Sequence, residues 1–222
     1  MAGLTTTIPT QFKIDLLKAW HCFLAAQSGL AGAGVNGAFT ITGLASTALL
    51  AVGMAASGTG VAAGAIISEI NSGTQVTVSK AHTGTVTTGT IGFTADAFKI
   101  ALVKHTPTGT YGAASVNYSD ITGNSDEVSG TGYTATGFAL TNVNPASPSG
   151  TTATTSFSAN PSWTSATIDT DGAMIYNTSQ RGATSGRAVS VHDFGGEQKV
   201  TAGTLTLVLP ANDASNAILR IT

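Results

Sequence analysis

Residues 97–104 read Ala-Phe-Lys-Ile-Ala-Leu-Val-Lys, and this stretch decides the fold class. It opens with apolar and basic side chains in alternation and then runs apolar, the pattern of a central strand. After it comes a long polar stretch, 106–124, broken by Pro107, Gly109 and Gly112. Further strand patterns follow at 137–143, 152–157, 166–169, 173–177, 188–194, 201–209 and 217–221. They recur every roughly 8 to 14 residues with Gly, Pro, Asn and Ser between them, which predicts an antiparallel β-sandwich or barrel over 94–222. No long helical period interrupts them, and this argues against a parallel βαβ sheet.

Working back from Asp96, residues 38–93 form a compositional block of their own. Short strands are predicted at 38–42, 50–54, 65–70, 74–79 and 85–93, with turns at Ser57-Gly58-Thr59-Gly60 and Asn71-Ser72-Gly73. Gln75-Val76-Thr77-Val78-Ser79 alternates strictly, as a half-buried strand does. The block has almost no aromatic residues, so its core should be thin. With the Gly-rich connector 28–37 it reads as a small inserted β module, 28–93. The start, 1–27, reads as a helical segment packing on the main domain. Thr7 or Thr10 can cap it and Pro9 suits its first turn. Phe12, Leu16, Trp20, Phe23 and Leu24 form one stripe, with Lys13, Asp15 and Lys18 largely off it. The stripe packs within its own domain or on a neighbouring subunit. The fold class expected is all-β with this one N-terminal helix.

The chain has 222 residues, of which 9% are charged, against about a quarter in ordinary soluble domains. Its formal charge is −2, and 42% of residues are hydrophobic. About one residue in six is threonine, a strand-favouring type. Sparse Lys and Arg argue against nucleic-acid binding through a basic surface, and the hydrophobic content argues against disorder. No charged residue lies between Lys18 and Glu69, yet the best apolar window, 44–67, is rich in Gly, Ser and Thr, so no membrane span is expected. The stretch after Lys18 ends in small residues, but Asp15 and His21 spoil a signal-peptide pattern. The lone Cys22 excludes an intrachain disulfide and reads as a small buried apolar residue, with a reactive thiol as the other reading.

Chemistry occurs only in fragments. His21, His82, His105 and His192 are far apart, and a zinc site needs three or four converging ligands. Asp169-Thr170-Asp171-Gly172 carries alternate carboxylates but returns at once to a strand, so it reads as a turn with two solvated aspartates. Asp126 and Glu127 are adjacent, so on a strand they face opposite ways and make a poor acid/base pair. His192-Asp193 could orient an imidazole, but the G-x-S-x-G elbow is missing; Gly-Ala-Thr-Ser-Gly at 182–186 has Ser one place late. Gly58-Thr59-Gly60 and Gly130-Thr131-Gly132 lack the helix and Lys of a phosphate cradle. Asn117-Tyr118-Ser119 and Asn177-Thr178-Ser179 match the glycosylation sequon, which matters only in a secretory pathway. Arg181 and Arg187 flank a Gly/Ser loop that is either a solvated hairpin tip or a contact for an acidic partner. Trp163 reads as core or as an interface anchor. No catalytic, cofactor-binding or metal-ligating residue is therefore assigned, and no cofactor is expected.

The main block resembles small structural proteins of tailed-bacteriophage virions. The matching pieces are 97–102, Tyr118-Ser119-Asp120, 124–133 (Asn-Ser-Asp-Glu-Val-Ser-Gly-Thr-Gly-Tyr), 162–168 (Ser-Trp-Thr-Ser-Ala-Thr-Ile), 173–177, Asp193-Phe194-Gly195-Gly196 and 217–221. In that family a helical start like 12–23 runs almost directly into the strand equivalent to Phe98; this chain departs by inserting 28–93. The insert is similar to a small β repeat of phage and bacterial surface proteins, through 41–44, 52–54, Gly58-Thr59-Gly60 and 70–77. The resemblance implies a non-enzymatic virion component, a capsid decoration (cement) protein bound to the major capsid protein or another virion protein and to symmetric copies of itself. The alternative it leaves is a tail or tail-fibre module that binds a receptor or glycan. It implies no catalytic residues, and neither nucleic acid nor membrane as partner.

Overall fold

The structure is a computed structural model that describes residues 3–148, 150–179 and 185–222. In chain order, β1 (Gly3–Leu4) and α1 (Thr10–Leu17) come first. Then follow β2 (Gln27–Leu30), β3 (Thr40–Ile41), β4 (Ala55–Ser57), β5 (Ala65–Ser72), β6 (Gln75–Val78) and β7 (Ile91–Thr94). The rest comprises β8 (Phe98–Lys104), β9 (Thr110–Tyr111), α2 (Ser119–Gly123), β10 (Phe138–Asn142), β11 (Ala153–Thr155), β12 (Phe157–Ser158), β13 (Ser162–Asn177), β14 (Arg187–Thr206) and β15 (Leu219–Ile221). The chain is all-β in class and divides into two compact units, Met1–His21 with Ala97–Thr222, and Cys22–Asp96.

In the first unit β8 is the middle strand of a five-stranded antiparallel sheet, ordered β12-β10-β8-β13-β14. Ile100, Ala101, Leu102 and Val103 are all buried, as a strand covered on both faces requires. Ile175 of β13 and Phe138 of β10 both stand opposite Ile100. Val103, Met174, Ala188 and Val191 pack with Tyr111 and Ile121, which are carried by the stretch that reads as polar in sequence. That stretch holds β9 and the short helix α2, so the expectation of a single helix is corrected. The segments 166–169 and 173–177, expected as two strands, are one 16-residue strand, and 188–194 with much of 201–209 are one 20-residue strand. Bulges between Trp163 and Ala166, Ala166 and Ile168, and Thr170 and Gly172 absorb the breaks in alternation. Asp169-Thr170-Asp171-Gly172 is thus strand, not turn.

Helix α1 is shorter than its apolar stripe. Lys18 N–H closes onto Ile14 and Asp15 carbonyls, Ala19 takes φ 56°, and Trp20 N–H returns to the Asp15 carbonyl at 2.9 Å. Trp20, Phe23 and Leu24 therefore lie beyond the helix, and Leu17 is 90% exposed. The buried helix residues are Phe12 and Asp15, the latter expected off the packing face.

The second unit is a six-stranded sheet ordered β2-β7-β4-β5-β6-β3. The bridge Ala33↔Thr42 ties the chain just after β2 to the end of β3 at the far edge and so curls the sheet, and Gly34 bridges Val86 in the connection that precedes β7. Ile41, Met54, Ile67, Val76, Ile91 and Phe93 fill its core, with Cys22 buried among them. Its limits are wider than the composition shift at 28–93. Cys22 N–H donates to the Asp96 carboxylate at 2.9 Å, Asp96 N–H returns to the Cys22 carbonyl, and the two ends are clasped. The segment 50–54 is turn rather than strand; the strand starts at Ala55. Gly60 sits at φ +87°, and a Cβ there would come 2.3 Å from the Thr85 carbonyl oxygen, so the Gly58-Thr59-Gly60 turn has a packing role. Among the described residues no helix is long and apolar enough to cross a membrane.

Candidate functional site

The polar side chains of the first unit gather beside the end of β8. Asp126 is fully buried and gathers the loop that leaves this strand. Its carboxylate accepts Thr108 N–H (3.0 Å) and hydroxyl (3.0 Å), Gly109 N–H (2.7 Å) and the Tyr111 hydroxyl (2.6 Å), and Lys104 Nζ lies at 3.0 Å. Burial alone would raise its pKa, but the donors of Thr108, Tyr111, Gly109 and Lys104 together hold it well below the usual carboxylate range. Burial and the bond to Asp126 push the Tyr111 hydroxyl up to about 12.

Glu127, which forms an isolated bridge with Val103, binds a different set of donors. Its oxygens accept the Tyr118 hydroxyl, the Tyr133 hydroxyl at 2.9 Å and Thr136 N–H at 2.7 Å. The Tyr118 and Tyr176 rings stack with centroids 4.4 Å apart, and Tyr133 and Phe138 each pack 5.9 Å from Trp163. Burial pushes Tyr176 up to about 12, and burial with Glu127 nearby pushes Tyr118 and Tyr133 higher still. These aromatics are scattered in sequence; the fold collects them around one carboxylate. Trp163, 6% exposed, is core. Glu127 also lines a polar groove of about 600 Å³ with Lys104, His105, Ser129, Asp169 and Lys199.

The two aspartates read as solvated are both paired. Asp171 accepts from His105 Nδ1 at 2.7 Å and from Thr106 N–H at 3.0 Å; Asp169 lies 2.8 Å from Lys199 Nζ. The bond to Asp171 raises the His105 pKa, and the bond from Lys199 lowers that of Asp169. The four histidines stay apart. His21 meets Asn177 at 3.0 Å, His82 is buried against the Thr40 carbonyl, and His192 Nε2 stands 2.9 Å from Ser190 Oγ. Burial lowers the His192 pKa. Asp193 does not join that contact; its carboxylate accepts Gly195 N–H at 2.8 Å. Among the described residues no three His, Cys, Asp or Glu side chains are grouped for a metal ion.

Arg187 is neither solvated nor free for a partner. Its Nη1 lies 3.1 Å from the buried Asp15 carboxylate, and its guanidinium is 4.7 Å from the Trp20 ring centroid. Arg181 and residues 182–184 of the Gly-Ala-Thr-Ser-Gly stretch lie outside the described residues. Asn177 is buried and bonded to His21, so that sequon is closed to a glycan, while Asn117 is half-buried. Sequence reading missed the Asp15–Arg187 pair and the tyrosines around Glu127. The first carried a signal, because charges are so sparse here that one beside the helix stripe stands out.

A second concavity, about 500 Å³, runs along β14. Ile100 and Ile175 form its floor, and Leu205, Leu207, Leu209 and Phe194 are among its walls. The chain matches no family model, no curated protein and no solved structure.

Proposed function

We propose that the chain is a structural component of a tailed-bacteriophage virion, a head decoration (cement) protein on the coat lattice. The observation that supports this most is where the resembling segments fall. Central strand β8, the Asp126–Tyr133 stretch, the Trp163 strand, Asp193–Gly196 of β14 and the C-terminal strand β15 all belong to one compact unit. In that unit Asp126 and Asp171 hold the chain that leaves β8, and Arg187 holds α1 to β14. The work is mechanical: a stiff, weakly charged β surface is repeated by symmetry, so that modest contacts add through avidity. Its partners are the major capsid protein or another virion protein, together with copies of itself. Quantitative mass spectrometry of purified virions tests this. A copy number approaching that of the coat protein is expected; absence from particles, or turnover in screens on cell-wall and capsule substrates, overturns it.

A second reading, a tail module binding a glycan, draws on the tyrosines around Glu127 beside the polar groove. Low copy number in virions together with binding on a glycan array would favour it.

A further inference from the structure

β14 is the last strand of its sheet, and its outer edge is covered only in part. Bridges Thr7↔Val191 and Asn117↔Arg187 cover its beginning; among the described residues no strand or bridge pairs with that edge beyond Val191. Leu207 N–H donates back to the Pro161 carbonyl and Leu209 N–H to Asn160 Oδ1, both at 2.9 Å. Strand alternation therefore turns the backbone groups of Thr206 and Val208 out to the open edge. Residues 200–212 carry no charge, and Val208 is 79% exposed. An uncharged β edge without a cover is a template for pairing with another chain.

We propose that this edge pairs with the same edge of a second copy, antiparallel about a two-fold axis at Thr206. This rests on reading the chain as a symmetric, repeated component, and it names the surface. The charges identify the occupant. The ionisable residues that bound the uncharged run are Lys199 and Asp213, of opposite sign and equidistant in sequence from Thr206. A two-fold at Thr206 sets the Lys199 end of each copy against the Asp213 end of the other. Lys199 stands with Asp169 and Glu197, and Arg220 Nη1 donates to the Ala214 and Ser215 carbonyls next to Asp213, so each end offers both signs to its counterpart. At the centre Thr206 faces its own copy, a favourable cross-strand pair. Leu205, Leu207 and Leu209, on the opposite face from Thr206 and Val208, form a continuous apolar row with those of the second copy across the groove wall.

Sedimentation of the full chain tests this, with two variants. The wild type should sediment as a dimer in the micromolar range. Val208→Lys, at an exposed site, should keep the circular dichroism spectrum and weaken the dimer about tenfold or more. Thr206→Cys should give a reductant-sensitive covalent dimer on oxidation, because self-paired residues lie within disulfide reach, whereas Thr164→Cys on β13 should not. A monomeric wild type, a dimer indifferent to Val208→Lys, or a Thr206→Cys variant that forms no covalent dimer on oxidation overturns the proposal. These measurements use free protein, so they can fail while the virion copy number stands, and the reverse.

Discussion

Arg187 on β14 reaches Asp15 on α1 at 3.1 Å while stacking over Trp20, so one side chain fixes the helix and the chain that leaves it. Asp15 is fully buried and also accepts Gln11 Nε2 at 2.7 Å. Removing one partner of a buried ion pair strands the other charge, which costs about 3–5 kcal/mol. Arg187→Met should therefore destabilise the first unit by about 3 kcal/mol, read by urea unfolding monitored through tryptophan fluorescence. The double variant Asp15→Leu with Arg187→Met should recover much of that loss, since no charge is then left buried. Additive losses would show that the pair is incidental.

Asp126 gives the second prediction. Asp126→Asn replaces an acceptor of several donors by an amide that itself donates, and should cost about 3 kcal/mol. The pH dependence follows from the sign of the shift. The native carboxyl lies below its unfolded value, so its contribution is complete above about pH 4 and is lost as pH falls toward the native value. Acid unfolding of the wild type should steepen in that window, and Asp126→Asn should lack that component.

Much of the architecture was legible because burial leaves a simple trace. The apolar run 97–104 is the central strand, and the Gln75–Ser79 alternation is β6 with Val76 and Val78 buried. What sequence could not show were decisions made by tertiary partners. The apolar stripe continued past Leu17, but the backbone turns at Ala19, and no spacing encodes a positive φ at an alanine. Asp169 and Asp171 looked like a turn because two aspartates flank a threonine; Lys199 and His105, distant in sequence, hold them in a strand. The tyrosine cluster was illegible for the same reason, since Tyr118, Tyr133 and Tyr176 share no period and meet only through Glu127 and the sheet.

His192 gives a prediction of opposite character to His105. Burial depresses the His192 pKa, so its neutral form belongs to the folded state. Its contribution is complete above the ordinary value, about 6.5, and is lost as pH falls below it. His105 is raised by Asp171, so its small contribution is present below that value and fades as pH rises through the native one. Proton NMR titration of the imidazole Cε1 signals should separate the two, and His192→Gln should flatten the loss of stability between neutral and mildly acidic pH. A His192 midpoint above that of His105 would contradict the burial argument.

Gly137 and Gly150 form a matched test of backbone against packing. Both take positive φ, +74° and +76°. A Cβ at Gly137 would come 2.0 Å from the Ile100 carbonyl oxygen and 2.8 Å from Ala101 Cα, inside the central strand, whereas nothing lies within 4 Å of one at Gly150. Gly150→Ala should cost only the left-handed penalty of about 1–2 kcal/mol. Gly137→Ala carries the same penalty and must also push β10 off β8, where Phe138 stands opposite Ile100, so its cost should exceed that of Gly150→Ala by about 2 kcal/mol or more. Equal midpoints for the two variants in thermal unfolding would mean that β8 and β10 do not pack as closely as the strand register requires.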